Sequence, residues 1–331
     1  MKVIRLHGTG DLRLHDEDKP NPMPAQALIH VTAIGVCGSD LHWFEEGSIG
    51  DARLNKPLIL GHEFAGVTES GERVAVDPAV PCEQCEQCRE GNPNLCTALH
   101  FAGHGGDDGA LREYVNWPVR CLYALPDALT DIEGAMLEPL GVALHAVDLG
   151  HVRPGMTAGV FGCGPIGLLI VQLLRAAGAT TIVATDNLPH RLDAARSFGA
   201  TSTIQAADGQ EATQILAATN GRGVDVAFEA AGVNAAVETG MVAAKPGARV
   251  VLVGIPAEDR TAFPASVARR KGLTIKLSRR MKHTYPRAIE LAVSGKIDLR
   301  SLVTHRFPLV ESQKAFALAR EREGLKIVIE P

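Results

Sequence analysis

Residues 157–186 read TAGVFGCGPIGLLIVQLLRAAGATTIVATD. A short apolar run, TAGVF, meets a glycine turn and passes into the helical stretch PIGLLIVQLLRAAG. A second apolar run, TIVATD, follows. Strand, turn, helix and strand in that order predict the first βαβ unit of a parallel sheet. The glycines 162, 164 and 167 form the pattern G-x-G-x-x-G. In a dinucleotide site Gly162 makes the tight turn, Gly164 lets backbone approach a pyrophosphate, and Gly167 packs helix against strand. Pro165 and Ile166 open the helix, whose N-terminus would face the phosphates. The glycine pattern alone is short, and an ordinary strand-to-helix turn is the competing reading. Context favours the dinucleotide. Asp186 stands 19 residues after Gly167, at the end of the next strand, where a carboxylate accepts from the ribose 2′-OH and repels a 2′-phosphate. Asn187 and Leu188 follow with no adjacent arginine, so the expected cofactor is NAD rather than NADP.

The same alternation continues downstream through HRLDAARSFG, VDVAFEA and ARVVLVGIP, which predicts a doubly wound parallel sheet after Gly150. Upstream the character differs. ALIHVTAIGV, RVAVDPAV and REYVNWPV read as strands between Gly and Pro turns, so residues 1 to about 140 are expected to be mostly β and loop. From Leu273 the pattern is mixed, with a helix near 286–294 and a closing strand LKIVIE, and this part is expected to rejoin the first. A chain of 331 residues is long for one core and fits about two domains. The 33 Lys plus Arg against 38 Asp plus Glu leave a net charge of -5, no footprint for nucleic acid or an anionic membrane. Arg5 and His7 interrupt the N-terminal apolar residues before signal-peptide length, and no run is long enough to span a bilayer. A cytoplasmic protein with a small-molecule partner is expected.

Seven cysteines suit a reducing compartment better than a disulfide framework, because four of them sit at metal spacing. Cys82, Cys85, Cys88 and Cys96 form C-x2-C-x2-C-x7-C in a polar loop. Four thiolates can close tetrahedrally around a structural zinc, leaving no position for chemistry. A redox pair or chance are the other readings, but this Glu- and Gln-rich loop offers little apolar surface to bury cysteines. Upstream, Cys37, His62 and Glu63 could hold a second zinc with one position open. On spacing alone each has another reading: Cys37 a core cysteine at a strand end, His62 a hydrogen-bonded turn residue, Glu63 a solvated acid. Cys121 and Cys163, flanked by apolar or small residues, read as buried spectators.

Several segments together carry a nearly full-length resemblance: VCGSDLHWF around Cys37, GHEFAG around His62, the four-cysteine lobe, GAMLEPLGVALHA around Glu138, VFGCGPIG, VVLVGIP, VTHRFPL and GLKIVIE. The chain resembles the zinc-containing medium-chain dehydrogenases, and within them the sorbitol or polyol dehydrogenase branch. The resemblance implies an α/β protein with a GroES-like, mostly β catalytic domain over 1–142 and 275–331 and a Rossmann NAD-binding domain over 143–274. It implies two zinc ions per chain and a homotetramer or homodimer. Catalytic zinc would be held by Cys37, His62 and Glu63, with Glu138 standing where the alcohol dehydrogenase branch has cysteine and reaching the metal directly or through water.

By the same resemblance Ser39 matches the hydroxyl that takes the alcohol proton and His42 a relay partner. Ser39 in the segment GSD otherwise reads as a turn-capping serine. Arg191 matches a basic residue near the adenosine ribose, and Val253 a backbone position that meets the carboxamide. Trp43 stands where polyol enzymes usually have tyrosine, His104 lies at a substrate-facing position in a departing loop, HFAGHGGDDG, and Arg280 matches an arginine facing the polyol. Arg280 also reads as part of a solvated charged run, SRRMK. The segment FAGVTESGERVAV is shorter than family habit, consistent with a trimmed loop. The expected activity is oxidation of a secondary hydroxyl of a polyol, cyclitol or sugar acid by NAD. The alternatives are another secondary alcohol, such as an L-idonate-like acid, a threonine-like amino alcohol or a less polar alcohol, and, more remotely, a non-catalytic NAD-binding protein.

Overall fold

The computed structural model describes residues 1–206 and 209–331. They form two compact units. One comprises Met1–Pro139, Tyr285–Gly295 and Leu299–Pro331; the other comprises Leu140–Thr284 and Lys296–Asp298.

The first unit is built on a seven-stranded sheet whose hub is the long strand Gln26–Gly35. Its buried residues Ile29, Val31, Ala33 and Ile34 show why it takes the middle: both faces lose their water. It pairs antiparallel with Glu63–Thr68, with Tyr114–Pro118, and with Lys326–Glu330. The last pairing sets Val328 opposite Gly35 and Ile329 opposite Ile34. Phe64, Val76, Trp43, Phe316 and Ile329 fill the core around it. A hairpin, Lys2–Gly8 with Asp11–Asp16, lies at the N-terminal end of the unit.

Directly after the hub strand, Cys37 caps the helix Gly38–Glu46, and Asp40 accepts from the Cys37 N–H at 3.0 Å, which closes the first turn. Gly47 ends this helix in the left-handed conformation, φ 64°.

The second unit is a six-stranded parallel sheet. Its spatial order runs Ser202–Gln205, Thr181–Asp186, Thr157–Phe161, Val224–Glu229, Ala244–Leu252, Thr274–Leu277. The first strand in sequence is therefore central and the order reverses beside it, which opens a crevice at the carboxyl ends of Thr157–Phe161 and Val224–Glu229. The helix Pro165–Ala176 buries Leu168 through Leu174.

The strand Thr274–Leu277 pairs parallel with Ala244–Leu252, so the second unit runs past the expected boundary at 274 as far as Thr284. The cause lies in its position. As an edge strand it is mostly exposed, and TIKL carries too little apolar signal to announce a sixth strand.

Candidate active site

Two groups of ligand-bearing side chains converge in the first unit. The Cys37, His62 and Glu63 ligand atoms lie within 4.8 Å of one another, as do those of Cys82, Cys85, Cys88 and Cys96. Pairing of the hub strand with Glu63–Thr68 produces the first group: Gly35, two residues before Cys37, is registered opposite Glu63. Gly35 has no room for a side chain, since a Cβ there would overlap Glu63 Oε2.

His62 is oriented from behind. Its Nδ1 lies 3.4 Å from Asp40 Oδ1, and Asp40 is held in turn by the N–H groups of Cys37 and Gly61. An imidazole donating from Nδ1 keeps Nε2 as its electron-pair donor, the usual arrangement behind a metal-binding histidine. Ser39 Oγ lies 3.4 Å from that Nε2. Burial opposes a charged His62, but Asp40 and Cys37 outweigh it and hold the imidazole well above its ordinary pKa. The surroundings therefore favour positive charge.

Glu63 is fully buried and paired with Lys326, itself 3% exposed. Glu63 Oε1 has no hydrogen-bond partner. Glu138, also buried, has its carboxyl pushed up to about 8 by burial, with the neighbouring His62 acting in the opposite direction. A cation among Cys37, His62 and Glu63 would occupy the orphaned oxygen and draw Glu138 back to its ionised form. One thiol, one imidazole and carboxylate oxygens suit zinc.

In the second group, the Cys82 N–H donates to Cys96 Sγ at 3.3 Å and the Cys85 N–H to Cys82 Sγ at 3.4 Å. Backbone N–H groups of Cys88 and Thr97 lower the Cys85 thiol, whereas burial and the adjacent sulfurs raise Cys88. Four sulfurs this close cannot all ionise unless a cation sits among them, and a tetrahedral zinc fits the donor set.

Around the first group the rings of His62 and Phe101 are 5.3 Å apart, those of Phe101 and His104 6.3 Å, and those of His104 and Trp43 5.6 Å in an edge arrangement. Trp43 is 2% exposed and belongs to the core, with His104 against its ring. His42 sits on the helix Gly38–Glu46 with Nδ1 3.1 Å from Glu46 Oε1. Arg280 belongs to the second unit, in the loop after Thr274–Leu277, in the left-handed region at φ 53°.

In the second unit the glycine turn has the shape its sequence requires. Gly162 adopts φ 101° with its Cβ position against Ala231 N, and a Cβ on Gly167 would overlap Gly162 O. At Gly164 a Cβ would meet only Arg191 Nη1, at 3.8 Å. That space, at the N-terminus of the helix starting with Pro165 and Ile166, is a cradle a pyrophosphate fits. The Asp186 carboxylate, at the end of Thr181–Asp186, accepts from the Cys163 N–H at 2.7 Å and the Leu188 N–H at 2.9 Å. Val253 follows the strand Ala244–Leu252, its N–H bonded to Glu229 O. Cys163 and Cys121 are buried.

The segment 23–127 matches the alcohol dehydrogenase GroES-like domain and 165–294 the zinc-binding dehydrogenase domain. The sorbitol dehydrogenase of Bacillus subtilis is 36% identical over 343 residues, covering 100% of this chain and 97% of that protein. The chain belongs to the zinc-binding dehydrogenases. The probable D-xylulose reductase A of Emericella nidulans is 37% identical to this dehydrogenase, covering 96% of it and 93% of the relative. Among solved structures, 2R,3R-butanediol dehydrogenase of Bacillus subtilis superposes with a TM-score of 0.88 at 32% identity, covering 100% of this chain and 99% of that one. This dehydrogenase is accordingly a zinc- and nicotinamide-dependent oxidoreductase with a GroES-like unit and a Rossmann unit.

Sequence reasoning overlooked three contributors. Asp40 was visible as an acid three residues after Cys37, the spacing of a capping box. Lys326 opens the strand KIVIE, where nothing local marks it as the partner of a buried carboxylate. Phe101 gave no local signal.

Proposed function

We propose that this dehydrogenase oxidises a secondary hydroxyl of a polyol, cyclitol or sugar acid to the ketone and passes the hydride to NAD. The observation that carries the reading is the donor set of one thiol, one imidazole and the buried carboxylate of Glu63, with a second buried carboxylate, Glu138, in electrostatic contact with His62 and Glu63. Such an oxygen-rich surround is harder than one with a second sulfur. The sorbitol dehydrogenase and D-xylulose reductase relatives support the polyol class.

Cys37, His62 and Glu63, with Glu138 nearby, would hold a zinc ion, which when bound would supply the Lewis acidity that lowers the pKa of a substrate hydroxyl toward neutrality. Asp40 keeps His62 in the correct tautomer. Ser39 takes the hydroxyl proton and His42 passes it on, its Nδ1 held by Glu46 so that Nε2 stays the acceptor. Phe101 and Trp43 form an aromatic wall and His104 supplies a polar group in it. Gly162, Gly164, Pro165, Ile166 and Gly167 receive the pyrophosphate, Arg191 and Asp186 the adenosine end, and the Val253 backbone the carboxamide. Cys82, Cys85, Cys88 and Cys96 hold a second, structural zinc. The working form is a cytoplasmic homotetramer or homodimer, which gel filtration against standards tests.

The deciding experiment follows NADH absorbance with zinc-loaded protein over polyols, sugar acids, cyclitols and simple secondary alcohols. A strong polyol, cyclitol or sugar-acid substrate is expected. Turnover of simple aliphatic alcohols alone would reject the polyol reading in favour of a less polar substrate, which the aromatic wall and the butanediol dehydrogenase relative make the second reading. Silence with intact NAD and zinc binding would point to an alcohol outside the panel or to a non-catalytic protein. For the cofactor, Asp186→Ala is expected to lower kcat/KM for NAD by about tenfold or more and to narrow its lead over NADP. An unchanged NAD:NADP ratio would reject Asp186 as the discriminator.

A further inference from the structure

Arg5, far from the metal cluster in sequence, forms a double fork. Its Nε and Nη2 donate to the two Glu17 oxygens at 2.6 and 3.0 Å, and its Nη1 to the Asp108 oxygens at 3.2 and 3.1 Å. Asp108 Oδ1 also accepts from the Ile59 N–H at 3.1 Å. The three acidic and basic side chains are only about a fifth to a third exposed, so solvent screens them less than an ordinary surface pair. The chemistry proposed above makes no use of them.

Their place in the chain gives them one. Asp108 lies in the segment 101–111, whose backbone is laid on 59–61, immediately before His62: Gly109 N–H donates to Ile59 O, Ala110 N–H to Gly61 O and Leu111 N–H to Leu60 O. Gly109 has no space for a Cβ against Leu60 and Gly61. Asp107 secures the near end by accepting from the Phe101 N–H at 3.1 Å. Between these anchors is His104, flanked by Gly103, Gly105 and Gly106, all at positive φ. Three such glycines leave the backbone around His104 conformationally free unless its ends are tied.

We propose that Arg5 and Asp108 are positioning residues for the alcohol substrate: the fork ties segment 101–111 to the N-terminal hairpin and so keeps Phe101 beside His62 and His104 against Phe101 and Trp43. This rests on the reading of the cluster as the alcohol site. Its consequence is a separation of effects. Releasing the segment degrades the wall that receives the alcohol and leaves Cys37, His62, Glu63 and the whole second unit untouched.

The test compares Asp108→Asn and Arg5→Gln with the parent enzyme, using the best alcohol of the panel. KM for the alcohol is expected to rise by about tenfold, the effect of one hydrogen bond to substrate lost, with kcat and KM for NAD held within about twofold and the zinc content unchanged. Arg5→Lys, which keeps charge but cannot serve both forks, is expected to fall between. An unchanged KM for the alcohol overturns the proposal. So does a parallel loss in kcat and in both KM values, which would mark a general structural brace. A second readout needs no turnover. In a Trp117→Phe background the only tryptophan is Trp43, whose ring contacts His104. Asp108→Asn is expected to change its fluorescence and its quenching by iodide; identical spectra overturn the proposal. If the parent enzyme oxidises no alcohol, the function reading fails and the fluorescence arm still decides whether the fork holds the segment.

Discussion

At the residue scale, the decisive side chains are charges taken out of water in pairs. Lys326 and Glu63 have almost no exposed surface, and a lone charge in that position costs far more than the pair. Burial disfavours the ammonium, yet Glu63, Cys37 and Glu138 raise the Lys326 pKa above its ordinary value. Lys326→Met is therefore expected to destabilise the protein by about 3–5 kcal/mol in denaturant unfolding, with Lys326→Arg recovering part of it. A loss below about 1 kcal/mol would mean that Glu63 finds another partner. The sequence made Cys37, His62 and Glu63 legible through residue type and adjacency. It left Lys326 hidden because nothing in LKIVIE tells which face of the strand meets a carboxylate made by residues near position 63.

At the element scale, the glycine turn and the cysteine lobe were the most legible parts, because each encodes its geometry locally. Gly162, Gly164 and Gly167 act within one turn, and the four cysteines within one loop, so spacing suffices. The segment 101–111 is the contrary case. Its conformation depends on the partners 59–61 and Arg5, which are distant in sequence. For the lobe, the proposed structural zinc makes Cys85→Ser expected to lower bound zinc by one equivalent and to reduce the melting temperature, while kcat per folded molecule stays within about twofold. That expectation follows from four ligands with no open position. Metal analysis together with kinetics checks it, and a loss of both zinc equivalents would mean that the two clusters fill cooperatively.

At the scale of the whole molecule, stability in acid draws on carboxylates that are better placed folded than unfolded. Asp225 is the clearest. Its oxygens accept from Thr157 N–H at 2.9 Å and Arg222 Nη2 at 2.6 Å and pair with Lys245 Nζ, and these outweigh burial to hold its carboxyl well below the usual range. A depressed folded pKa adds stability that is complete above the unfolded value of about 4 and fades as pH falls toward the folded one. Asp225→Asn should cost about 1–2 kcal/mol at neutral pH, and the two melting curves should converge in strong acid. A constant difference at every pH would attribute the loss to packing. The alternation after Gly150 announced the parallel sheet, whereas the edge strand Thr274–Leu277 was missed because an exposed strand has little apolar pattern to read.

The pairing of Lys326–Glu330 with the hub strand also sets an order of events during synthesis. Cys37, His62 and Glu63 emerge from the ribosome with the first part of the chain, and the whole Rossmann unit is made before the strand that supplies Lys326. Until then the nascent first unit has an open sheet edge at residues 34–35 and a carboxylate without its buried counter-charge. The strand Lys326–Glu330 therefore completes the sheet and the buried charge pair together, late in synthesis.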